Sequence, residues 1–169
     1  MAILRCTQKL LSELKLNPSD TVQPADELGS WHANLLRIDR RKCVIFTHDT
    51  TLYTFFISGL VKSHFKNFHE VFRQNLFKSL IAENLPQKQI ELFLDDIREI
   101  EISKTNNRSV LGSMNDLTFQ LKYQIADEGG LLNTDITKLN HDLNRIPMSA
   151  IEEIYSIYEL RKLLIKLSR

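Results

Sequence analysis

The hydrophobic pattern of this sequence changes character near Asn67, and that switch restricts the fold more than any other feature. Before it, apolar residues gather in short β-branched and aromatic runs: Ala2 to Cys6, Trp31 to Ile38, Cys43 to Thr47 and Leu52 to Ile57. After it, Phe68, Val71, Phe72, Leu76 and Leu80 recur at the three- and four-residue spacing of a helix face. The runs from 31 to 57 predict an antiparallel meander, with turns at Asp39-Arg40-Arg41-Lys42 and His48-Asp49-Thr50. A helix starting near Thr50 competes for the last of them, because short apolar runs are ambiguous.

Local signals place the remaining elements. Thr7 is a candidate N-cap for a helix carrying Leu10, Leu11 and Leu14, Asn67 for the long helix that follows it, and Pro86 sits in a first turn ahead of Ile90, Phe93, Leu94 and Ile97. Glu99 to Ser103 alternates as a half-exposed strand does, giving a late strand over 98–103. Val110, Met114, Leu117, Leu121 and Ile125 trace an amphipathic helix stopped by Gly129-Gly130. Thr134 opens a helix to Leu143, and Ser149 with Glu152 and Ser156 with Glu159 form two capping-box patterns before the C-terminal helical segment. Strands first and helices after, with one late strand, predict an α+β fold: a small, mostly antiparallel sheet covered by several helices. Seven of the nine phenylalanines lie between Phe46 and Phe77, which centres the core on the meander and the first long helix.

A chain of 169 residues with 43% hydrophobic content can bury a core without metal or disulfide staples, and it reads as one domain over 1–169. Asn17 to Gly29, with two prolines and two aspartates, is the long irregular loop and a candidate lid or clasp. Cys6 and Cys43 sit in strand-like runs and read as reduced, buried thiols. The N-terminus lacks a signal-peptide pattern, and no apolar run nears the roughly 20 residues that span a bilayer. Cytoplasmic placement follows, with no membrane partner.

Two stretches carry a family likeness. One is Leu28-Gly29-Ser30-Trp31-His32-Ala33-Asn34-Leu35-Leu36 continuing through Asp39-Arg40-Arg41-Lys42-Cys43 to Thr47; the other is Asn107-Arg108-Ser109-Val110-Leu111-Gly112-Ser113-Met114-Asn115-Asp116. With the Thr-capped Lys-Leu-Leu helix and Leu143-Asn144-Arg145-Ile146-Pro147, they resemble a family of bacterial proteins known as a domain of unknown function. The resemblance implies a bacterial or mobile-element origin and brings no catalytic residues with it.

Charge selects the first candidate surface. With 22 basic and 21 acidic residues, the chain lacks the basic excess of a non-specific nucleic-acid binder. Arg37, Arg40, Arg41 and Lys42 nevertheless cluster at the first hairpin turn, where a fork of guanidinium groups can take carboxylate or phosphate. Lys62, His64 and Lys66 extend that patch if the meander folds back; the alternative is a solvated turn that keeps an edge strand soluble. Trp31, alone of its kind, is expected in the core. The second surface is the stripe Ser109, Gly112, Ser113 and Asp116, flanked by Arg108 and Asn115, opposite Val110, Met114 and Leu117. Gly112 costs about 1 kcal/mol against alanine in a helix, so either a binding role or a tight packing seam is expected there.

Enzyme signatures are sparse. Gly29-Ser30 and Gly112-Ser113 lack the second glycine of a nucleophile elbow, no glycine-rich phosphate loop occurs, and His64 and His69 are five residues apart. Asp95, Asp96, Glu99 and Glu101 with Lys104 suggest a magnesium-dependent nuclease, but Glu101 and Lys104 would point to opposite strand faces. The sequence therefore predicts a small interaction or regulatory protein, without cofactor or bound metal, that binds a protein partner or, at the basic turn, a nucleic acid. A metal-dependent hydrolase is the alternative, and the oligomeric state stays open.

Overall fold

A computed structural model of the chain describes residues 1–18, 23 and 28–169. Most of the loop expected over Asn17 to Gly29, with its role as a lid or clasp, lies outside the described residues.

The fold is α+β. Five strands, β1 (Ala2–Cys6), β2 (Ser30–Ile38), β3 (Arg41–His48), β4 (Thr54–Leu60) and β5 (Ile100–Lys104), form one sheet in the order β4-β3-β2-β1-β5. The meander β2-β3-β4 is antiparallel as its sequence predicts, and Leu52 to Ile57 contributes to a strand, not a helix. β1 lies parallel between β2 and β5, which the sequence did not indicate.

Helices cover both faces. The side chains of Leu4, Trp31, Val44, Phe46 and Phe55 meet α1 (Gln8–Leu14), α2 (Lys62–Lys66), α3 (Phe68–Ala82), α4 (Gln87–Asp96) and α7 (Ser156–Leu167) in one core. On the other face Leu36, Cys43, Ile45 and Phe56 meet α5 (Arg108–Asp127) and α6 (Ile136–Leu143). Strand alternation produces this division, because odd and even positions of β2 point to opposite sides. Trp31 is fully buried, edge-on to Phe55 at 5.7 Å and Phe72 at 5.4 Å, while Phe46 stacks on Phe55 at 4.8 Å. The phenylalanine-rich core thus sits where the sequence placed it, although Phe77 is 41% exposed.

The local signals fared unevenly. Thr7 Oγ1 does accept from the Leu10 N–H. Asn67 makes no side-chain cap, because α2 precedes it directly, and Asp135 rather than Thr134 caps α6 through the Lys138 N–H. Ser149 and Glu152 start no helix, and Ser156 donates to Asn144 Oδ1 at 2.8 Å instead of capping α7. The first hairpin turn is two residues, Asp39 (φ 50°) and Arg40 (φ 64°), not four; pairing continues through Ile38 with Arg41 and Arg37 with Lys42. Two consecutive left-handed residues match the twist of the flanking strands. Among the described residues, no helix is long and apolar enough to cross a membrane.

Candidate functional site

The hairpin end of β2 and β3 is fastened on both faces of the sheet. Asp39 Oδ2 accepts the Leu131 N–H at 2.7 Å, and Lys42 pairs with Glu13 and sits 5.9 Å over the Phe65 ring. Lys42 is therefore already spoken for, unlike the arginines grouped with it in the sequence. Arg37, Arg40 and Arg41 are exposed, and no hydrogen bond or ion pair reaches their guanidinium groups among the described residues. Residues 37 and 42 share one face with α2, and Arg41 points to the other, so the charge wraps around the tip. Lys62 and Lys66 lie exposed on α2, beside Lys42.

The stripe on α5 is built differently from its sequence reading. Gly112 is exposed, and a Cβ added there would meet nothing within 4 Å, so no packing seam closes on it. Ser113 is buried while Ser109, Asn115 and Asp116 face outward, and neither Arg108 nor Asp116 has an ion-pair partner among the described residues. Ser113 and Asp116 line a groove of about 320 Å3 with Phe119, Ile146 and Met148. Asn107 Oδ1 caps this helix, accepting from Ser109 and Val110.

Two features escaped the sequence reading. The first is a buried polar cluster on the sheet face beside α5. His32 Nδ1 lies 2.7 Å from Asp49 Oδ1, and the Asn106 N–H donates to His32 Nε2 at 3.3 Å. Since Nε2 accepts, Nδ1 carries the proton given to Asp49. Arg5, 1% exposed, stands opposite His32 in register; burial lowers its pKa and the Asp49 carboxylate raises it. The dyad ties the β3–β4 turn to the start of α5 and leaves Nε2 occupied, so its visible role is positional. A His-Asp pair 17 residues apart has no spacing signature.

The second is a groove of about 710 Å3 along β4, between α3 and α6. β4 is an edge strand, and its outward main chain is covered by side-chain amides. Asn144 brackets Thr54, and Asn140 brackets Phe56 through its Oδ1 at 2.7 Å and Nδ2 at 3.2 Å. Two asparagines at i, i+4, one inside α6 and one at its C-cap, were the available signal. A register shift between Lys42 and Val44 further breaks the edge, so added strands are discouraged here. The helices are joined at one end by Arg145 and Glu83, whose hydrogen bonds of 2.8 and 3.2 Å raise the Arg145 pKa.

Two of the acidic residues near β5 are taken by ion pairs. Asp96 takes the N-terminal ammonium at 2.8 Å and Asp95 pairs with Arg98 at 2.8 Å, while Glu101 and Lys104 stand on opposite faces of β5. Among the described residues, no group of three or more His, Cys, Asp or Glu side chains is arranged to hold a metal ion. Cys6 and Cys43 are buried and unpaired, and burial pushes the Cys6 thiol up to about 12.

The fold and these surfaces define a small α/β/α sheet protein with an exposed arginine hairpin and a lateral groove. The chain belongs to a domain-of-unknown-function family, DUF6933, whose model matches residues 3–159. No curated protein and no solved structure matches it significantly.

Proposed function

We propose that the chain is a small interaction protein that binds an acidic segment of a protein partner through the end of the β2–β3 hairpin. One observation carries this reading: Arg37, Arg40 and Arg41 are exposed, without internal counter-charges, on a turn held from both faces by Asp39 and Lys42. A fastened turn loses little conformational freedom on binding, and guanidinium groups pair with carboxylates in bidentate geometry. The near-zero net charge favours a local acidic contact over a nucleic-acid track. A cytoplasmic setting in a bacterial cell belongs to the same reading, and two buried, unpaired thiols support it.

The test is capture of partners from nuclease-treated bacterial lysate by the tagged protein, beside the double variant Arg40→Glu, Arg41→Glu. The proposal expects a stoichiometric protein, released by salt and lost with the variant. Capture that survives charge reversal removes the hairpin, and capture that requires nucleic acid replaces the protein partner with that class.

A further inference from the structure

We propose that the groove between α3 and α6 is a binding site for a small organic polyanion of about nucleotide size. The argument starts from its shape. At about 710 Å3 the groove falls within the range of small-ligand sites, which run from about 300 to about 1,000 Å3. Its apolar lining comes from Phe55, Ile57 and Val71, and polar side chains of α3 and α6 form the facing walls.

The hydrogen-bonding capacity of those walls is then divided unequally. Of the two carboxylates in the lining, Glu83 holds Arg145, while Asp135 caps α6 through the Lys138 N–H at 3.1 Å and is paired with no cation among the described residues. Ser79 is bonded to Tyr53, Asn75 donates to the Val71 carbonyl, and Asn140 is bound to Phe56. His64 Nδ1 accepts the Val61 N–H at 2.9 Å, which leaves its proton on Nε2. Lys78 and Lys138, from the two facing helices, have no hydrogen bond or ion pair for their ammonium groups among the described residues. Among cations and donors, the two ammonium groups and the His64 Nε2–H remain unspent around an apolar floor, beside the open amide oxygens of Gln74 and Asn75. That set matches a molecule with a flat or apolar body and several phosphate or carboxylate oxygens. None of the three hairpin arginines lines the groove, so this site stands or falls apart from the proposed partner surface.

The experiment is thermal unfolding with adenosine triphosphate, citrate or inorganic phosphate at millimolar concentration, against sodium chloride of equal ionic strength. Binding to the folded state raises the melting temperature, by several degrees when the ligand exceeds its dissociation constant about 100-fold. The expected result is a rise with at least one of the organic polyanions. It is lost in Lys78→Glu, Lys138→Glu and in Gln74→Trp, which fills the groove mouth, and retained in Arg40→Glu, Arg41→Glu. Far-ultraviolet circular dichroism confirms that each variant is folded. Absence of any rise, a rise that persists in the lysine variant, or one abolished only by the hairpin variant overturns the proposal.

Discussion

Asn144 grips Thr54 from both sides: its Oδ1 accepts the Thr54 N–H at 2.8 Å, and its Nδ2 donates to the Thr54 carbonyl at 2.7 Å. The same side chain also receives the Ser156 hydroxyl and reaches the Asn140 carbonyl, and it is fully buried. One amide thus joins the edge strand, α6 and the start of α7. Asn144→Ala leaves several buried polar groups unpaired and is expected to cost about 3 kcal/mol or more. Asn144→Asp restores the acceptor but has no N–H for Thr54, so it should do little better. Asn140→Ala, at the groove where water can enter, should cost about 1 kcal/mol. Urea unfolding of the three variants checks the order.

The hairpin clamp makes a second prediction. Asp39 combines a left-handed backbone with a hydrogen bond to Leu131, 92 residues away. Asn tolerates that backbone and keeps an acceptor, whereas Ala does neither. Asp39→Ala should lose about 1–2 kcal/mol, and Asp39→Asn well under half of that. Equal losses in the two would show that the Leu131 bond is not what holds the turn.

Alkaline pH should destabilise the fold in a definable window. Burial raises the Cys6 thiol from 9.0 to about 12, and raises Cys43 and the Tyr53 hydroxyl as well. The unfolded chain therefore loses these protons first. Stability is fully present below pH 9 and declines as pH climbs through the folded values, by about 1.4 kcal/mol per pH unit for each such group. Cys6→Ala should flatten the decline between pH 9 and 12 even though it lowers stability at neutral pH. The comparison is unfolding free energy against pH for both proteins; parallel curves would clear Cys6 of the effect. Native protein at pH 8 should also react with a thiol reagent only as fast as it opens.

The His32–Asp49 pair predicts a local effect. Asp49→Ala removes the group that orients the ring accepting the Asn106 N–H, and Asn107 caps α5 directly after it. Amide exchange at residues 106–110 should accelerate at least about tenfold, corresponding to about 1.4 kcal/mol, beyond any change in α3 and α7 on the opposite face of the sheet. Uniform acceleration across the sheet would mean global destabilisation instead.

What could be read from the sequence was what neighbouring residues decide. Thr7 caps its own helix, odd positions of β2 fill the core with Trp31, and Phe46 and Phe55 of the meander meet Phe68 and Phe72 of the helix that follows it. The arginine turn was legible for the same reason, since consecutive arginines at a tip have no core to enter. The rest depends on partners far apart in the chain. Asn144 spends itself on Thr54 90 residues earlier, and β1 enters the middle of the sheet beside β5, with about a hundred residues between them. Ser156 looked like a cap until Asn144 claimed its hydroxyl. The groove runs where the Asn140 and Asn144 amides cover the edge of β4, a pairing that leaves no mark in a hydrophobic pattern.

Gly112 offers the sharpest remaining test, because its two sequence readings predicted opposite outcomes. A glycine kept for close packing would clash with a methyl group, and Gly112→Ala would then be destabilising. The structure instead puts open space beside it, in the interior of a 20-residue helix. Alanine there gains helix propensity without cost, so Gly112→Ala should stabilise the isolated protein by up to about 1 kcal/mol. Chemical denaturation measures it directly. If the variant is more stable yet captures less partner than the parent, the bare face of α5 is occupied in the complex. If it is more stable and captures as much, α5 is a solvated face and the hairpin acts alone. A loss of stability would mean that α5 packs more tightly around Gly112 than the open space beside it indicates.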